Sequence, residues 1–133
     1  MTSADLISQA RLEYEVSRDL AKLRLNRVAA RLAYIAALHA ATAFILEHTG
    51  TVDDAHQSML AVLTRLLADS QDDKMIEQFL ARAVKYKDVA SGDAGAISDL
   101  EVTVTLYEAR QVIERIANLL GASSTRLDLR SPV

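Results

Sequence analysis

Three histidines and two basic runs carry most of the chemistry this chain could perform. His39 sits midway along an apolar stretch, and Arg31 lies about two turns before it. An imidazole can move a proton near neutral pH and a guanidinium can hold a phosphate, the ingredients of acid–base work on a phosphodiester. In apolar surroundings a histidine more simply hydrogen-bonds a neighbouring side chain. A buried arginine needs a partner, either a carboxylate on another helix or a bound anion. Around Tyr86, the residues Arg82, Lys85 and Lys87 could hold a phosphate and a base, or form the solvated face of a helix. His48, Asp53, Asp54 and His56 could gather a metal ion. They also read as a helix end followed by a capped helix start, with the carboxylates at capping positions. On that reading no metal and no cofactor is expected. A single Asp53-x-x-His56 lacks the second half that a di-iron bundle needs. No glycine-rich phosphate loop, nucleophile elbow or paired-histidine zinc motif is present. With no cysteine there is no thiolate chemistry.

The segment from Val28 to Leu46 must position Arg31 and His39. It reads VAARLAYIAALHAATAFIL, with only Arg31, His39 and Thr42 polar or charged. At about 100° per residue, Ala33, Ala36, Ala37, Ala40, Ala41 and Ala43 share one arc. Leu32, Tyr34, Ile35, Leu38, Ile45 and Leu46 share the other arc with Arg31, His39 and Thr42. A helix apolar all round is buried on most sides. The spacing therefore predicts a central helix with an alanine face for one close neighbour and a bulky face filling space against others.

The remaining elements follow from periodicity and punctuation. Gly50, Gly92, Gly95 and Gly121 stand where helices should stop. Thr2-x-x-Asp5, Thr51-x-x-Asp54, Ser70-x-x-Asp73 and Ser98-x-x-Glu101 resemble capping boxes. The first helix is expected over about Ser3–Lys22, with a break near Leu23–Asn26 that Asn26 would cap. The second reaches about His48. Helix 3 spans about Asp53–Ala68 and helix 4 about Asp72–Ala90, followed by a small connector at Ser91–Ala96. In helix 5 the segment EVTVTLY alternates like a strand when taken alone. Over a longer window Val102, Leu106, Ala109, Ile113, Ile116 and Leu120 step at helical spacing and overrule it. One domain over residues 1–121 and a poorly ordered tail over 122–133 are expected.

Charge and composition narrow the classes. The chain has 133 residues, a net charge of −3 and an apolar half with no tryptophan. A net negative charge argues against a general nucleic-acid binder. The central stretch approaches the length of a membrane span, but its arginine is costly there and alanine inserts weakly, so no membrane partner is expected. The opening MTSADLISQARLE lacks the basic-then-apolar order of a signal peptide. Together with the missing cysteines this points to the cytoplasm.

The order of these motifs resembles the HEPN superfamily (higher eukaryotes and prokaryotes nucleotide-binding). AYIAALHAATAFIL at Ala33–Leu46 is similar to its second-helix pattern of Arg-Ala-Tyr-Tyr-Ala, an apolar run and His-Ala-Ala. Tyr34, Ala36, His39, Ala40, Ala41 and Ala43 match. Ala55-His56-Gln57-Ser58 resembles its Ser-His-like element, and Arg82-Ala-Val-Lys-Tyr86 its later Arg…Ala-Asp-Tyr element. Tyr107-Glu108-Ala109 fits the alanine within the final helix. The family's arginine before Ala-Tyr is Leu32 here, its second tyrosine is Ile35, and its aspartate before the later tyrosine is Lys85. Many members are ribonucleases using Arg-x(4–6)-His, whereas seven residues separate Arg31 from His39.

The resemblance implies an all-α, up-and-down bundle of five helices, four of them packed together and helix 5 the longest after helix 2. It implies a non-catalytic module that binds a nucleotide, RNA or a partner protein, the usual partner being a small nucleotidyltransferase in a toxin–antitoxin pair. The ligand-binding set would be Arg31, Tyr34, His39, Arg82, Lys85 and Tyr86. The rivals are a ribonuclease with a non-standard site, for which His39 and His56 are the catalytic candidates, and a purely structural dimerisation domain. A symmetric homodimer is expected because helix 1 carries a second apolar stripe at Leu12, Val16, Leu20 and Leu23. Helix 5 carries another at Leu100, Val104 and Tyr107.

Overall fold

Thr2 opens the first helix by the predicted mechanism. Its hydroxyl accepts from the Asp5 N–H at 3.1 Å and its own N–H donates to the Asp5 carboxylate at 2.9 Å. The helix that follows, α1, runs Ser3–Lys22. In the computed structural model the described residues are 2–51, 56–68, 70, 73–91 and 97–130, of which 56–57, 88–91 and 122–130 are described by backbone only. They form α2 (Asn26–Thr49), α3 (His56–Leu66), α4 (Lys74–Ala83), a 3-10 stretch (Val84–Ser91) and α5 (Asp99–Arg130). The fold is an all-α bundle, with no strand among the described residues. The strand-like EVTVTLY is helical, as its longer periodicity required.

Contacts between side chains set the directions. Arg11 meets Glu114, and Arg24 meets Asp99, so α1 and α5 run antiparallel. Asp73 meets Arg115, Arg82 meets Glu108, and Tyr86 meets Glu101, so α4 and the 3-10 stretch also run against α5. Four elements (α1, α2, α4 with its 3-10 extension, and α5) thus alternate in direction. The short α3 joins the end of α2 to the start of α4.

Every alanine of the predicted face of α2 is fully buried: Ala33, Ala36, Ala37, Ala40, Ala41 and Ala43, joined by Ala29 and Ala30. Small side chains let α1 and α5 both pack closely onto α2, where one close neighbour was expected. The bulky arc departs from expectation. Tyr34, Phe44 and Ile45 are buried, but Leu32, Ile35, Leu38 and Leu46 are half-buried and Arg31 is exposed. By length and composition α2 could cross a membrane, yet 61% of its most apolar window is buried within the bundle.

Several boundaries differ from the sequence reading. Asn26 does not cap α2; Leu25 stands at that position, and the Asn26 amide donates instead to the Ile97 carbonyl and the Asp99 carboxylate, at 2.9 and 2.8 Å. The turn before it places Arg24 at φ 59°, a left-handed conformation uncommon outside glycine. Gly50 stops α2 as predicted, at φ 76° with its N–H on the Leu46 carbonyl. Gly121 does not stop α5, which continues to Arg130 and is the longest helix at 32 residues. An interior glycine costs a helix about 1 kcal/mol but does not forbid it. Gly92, Gly95, and the Thr51-x-x-Asp54 box beyond Thr51, lie outside the described residues. Helix 4 tightens into the 3-10 stretch after Ala83 instead of continuing to Ala90. Ser98 caps α5, accepting from the Glu101 N–H at 3.0 Å. Asp73 stands before α4 without a capping bond, because its carboxylate is engaged by Arg115 and Ser70.

Candidate functional site

The six residues expected to bind a ligand divide between two neighbourhoods. Arg31 is exposed rather than buried, and its Nε donates to the Lys87 carbonyl at 3.3 Å. That contact brings it beside the 3-10 stretch carrying Lys85 and Tyr86. His39 meets a different neighbour. Its Nδ1 lies 2.6 Å from a carboxylate oxygen of Glu13 on α1, with both side chains mostly shielded. An ionised carboxylate only accepts, so the ring donates. This is the hydrogen-bonded histidine that an apolar helix predicts. Arg31 and His39 therefore serve different interfaces.

The basic run of α4 is matched by carboxylates from α5. Arg82 donates to Glu108 at 2.5 Å, and Lys85 lies 3.8 Å from Glu101. Tyr86, proposed to stack on a base, is 5% exposed. Its hydroxyl donates to Glu101 at 2.5 Å and lies 3.4 Å from the Thr105 hydroxyl. Burial, then the bond to Glu101, push its phenol pKa up. An aromatic ring in that setting pins the 3-10 stretch to α5 and has no open face for a ligand. Tyr34 is more enclosed still at 1% exposed, and burial raises its pKa as well. His48 bonds the Phe44 carbonyl of its own helix at 2.9 Å. The Asp53 and Asp54 of the candidate metal cluster lie outside the described residues, as does the His56 side chain. Among the described residues no three potential ligands gather.

The unpartnered surface lies elsewhere. Leu23, Leu100 and Tyr107 are 70, 74 and 64% exposed, and Leu12, Val16, Leu25, Val28 and Val104 are exposed too. The antiparallel pairing of α1 with α5 gathers most of them at one end. Arg24 and Asn26 both reach Asp99, at 3.6 and 2.8 Å, which sets the α1–α2 turn against the first turn of α5. The two stripes that periodicity left without a neighbour are thus open in the monomer, not absorbed by a crowded bundle. Leu20 is the exception, half-buried. Sequence reasoning missed Leu25 and Val28, which follow the left-handed turn at Arg24. It also missed Asp73, whose buried carboxylate depends on an arginine 42 residues away. Compared with known proteins, the chain matches no family model and no curated protein.

Proposed function

We propose that this chain is a non-catalytic, HEPN-like interaction module that works as a symmetric homodimer through its apolar end. The observation that carries this reading is the set of exposed leucine, valine and tyrosine side chains on α1, the α1–α2 turn, the start of α2 and the first turns of α5. Monomeric proteins rarely leave large contiguous apolar patches in water, and closed two-fold dimers are the commonest soluble oligomers. The paired state of Arg82, Lys85 and His39 adds support, since a nucleotide or RNA phosphate would have to displace internal carboxylates from them. On the HEPN-like reading the same end could instead accept a small nucleotidyltransferase of a toxin–antitoxin pair.

Light scattering at micromolar concentration tests the dimer. The expected mass is about twice the 14.5 kDa of the chain, falling to the single-chain value in a Leu23→Asp/Leu100→Asp double variant whose helical circular dichroism is unchanged. A wild-type mass near 14.5 kDa sinks the homodimer and leaves the hetero-partner.

A second expectation concerns the ribonuclease rival. Incubated with single-stranded RNA, the protein should cleave nothing above background, because Arg31 and His39 face different neighbours. Cleavage that disappears in His39→Ala would overturn the non-catalytic reading.

A further inference from the structure

Midway along the α1–α5 seam, beyond the apolar end, lies a cleft of about 270 Å³ bounded by Arg11, Tyr14, Glu15, Arg110, Ile113 and Glu114. Its two carboxylates are both engaged. Glu114 accepts two bonds from Arg11, at 3.0 and 3.1 Å, and Glu15 lies 3.4 Å from Arg18. Arg110 is different. It is exposed and makes no hydrogen bond or ion pair among the described residues, while its charge acts on Tyr14 and Glu114. The Tyr14 hydroxyl is likewise without a hydrogen bond among the described residues, in a half-buried side chain. Burial raises its pKa, with Arg18 and Arg110 opposing, so at neutral pH it is a protonated donor. The lining itself is charge-balanced, Arg11 and Arg110 against Glu15 and Glu114, and Arg18, paired with Glu15, adds a positive charge beside it. Ile113 and the Tyr14 ring supply an apolar wall.

We propose that this cleft binds a small organic phosphate monoester, with Arg110 and the Tyr14 hydroxyl holding the phosphate and the Tyr14–Ile113 wall covering its organic group. Phosphate is favoured over carboxylate by its acceptor count. Three terminal oxygens can accept from both arms of the Arg110 fork and from the phenol at once, whereas a carboxylate has two. The volume falls just below that of drug-sized pockets, which limits the organic part to about one ring.

Phenyl phosphate titrated into the full chain, followed by calorimetry, is the probe. Saturable binding at one site per chain is expected, with benzoate weaker. Arg110→Gln should weaken binding about tenfold or more, the scale of one lost charge-assisted hydrogen bond. Tyr14→Phe should weaken it less. Arg82→Gln, on a guanidinium that bonds Glu108 elsewhere on α5, should bind like wild type. Absent saturation, unchanged binding in Arg110→Gln, equal binding of benzoate, or equal loss in Arg82→Gln would each overturn the assignment. None of these outcomes depends on the oligomeric state, so the site and the dimer stand or fall separately.

Discussion

Replacing Ala37 with leucine should destabilise the bundle by about 1–3 kcal/mol, the usual cost of forcing extra methylenes into a packed core. Ala37 is fully buried on the alanine face of α2, where both α1 and α5 approach. Interiors pack as densely as organic crystals, so the added atoms must push one of these helices away or adopt a strained rotamer. Ala40, equally buried, should respond in the same way. Ala81 on α4 is exposed and supplies the contrast. Leucine there keeps good helix propensity and should stay within about 0.5 kcal/mol of wild type. Urea midpoints of the three variants decide the matter. If Ala37→Leu and Ala40→Leu unfold where the wild type does, the alanine face is not a close contact.

The second large effect is expected at Asp73, and it should depend on pH. Asp73 is 3% exposed, and its carboxylate accepts from Arg115 at 2.5 Å and from the Ser70 hydroxyl at 2.6 Å. These bonds tie the start of α4 to α5. The bond from Arg115, aided by that of Ser70, holds the Asp73 carboxyl below its ordinary value of 3.8, against the opposing effect of burial. A depressed folded-state pKa means the ionised form stabilises the fold. That contribution is complete above the unfolded value and is lost as pH falls through the folded one. Asp73→Ala should therefore lose about 2–3 kcal/mol near neutral pH, the range for hydrogen bonds to charged groups. The gap to wild type should close in acid, below the ordinary carboxyl range. A gap that stays constant down to acid would mean Asp73 acts by packing alone. Glu114, also held low by its partner Arg11, is far more exposed and should matter much less.

The elements were legible because local signals agreed with one another. Thr2 and Asp5 cap α1 as their spacing predicts, Gly50 ends α2, and Val102, Leu106, Ala109, Ile113 and Ile116 form the buried seam of α5. What escaped was set by partners distant in sequence. Asn26 has the chemistry of a cap, but Ile97 and Asp99, more than seventy residues on, draw its amide away. Arg31 was expected to be buried from its apolar neighbours, yet it projects past the 3-10 stretch into solvent. The basic run around Tyr86 gave no sign in itself that Glu101 and Glu108 would neutralise it. Helical periodicity tells which side chains share a face, not which face finds a partner. The apolar stripes of α1 and α5 were readable for that reason, while their gathering at one end needed the antiparallel pairing of the two helices.

The alanine face of α2 also bears on how the chain leaves the ribosome. The α1–α2 hairpin is complete by Thr49, but the helix that covers much of its alanine face begins only at Asp99. Translation thus leaves the side of that face meant for α5 uncovered while the intervening half-hundred residues are made. A leucine-rich face exposed for so long would invite association with other nascent chains. Methyl groups offer less apolar area per residue than isobutyl groups, so the waiting surface is less adhesive. The smallness that allows close packing in the finished bundle also protects the unfinished one.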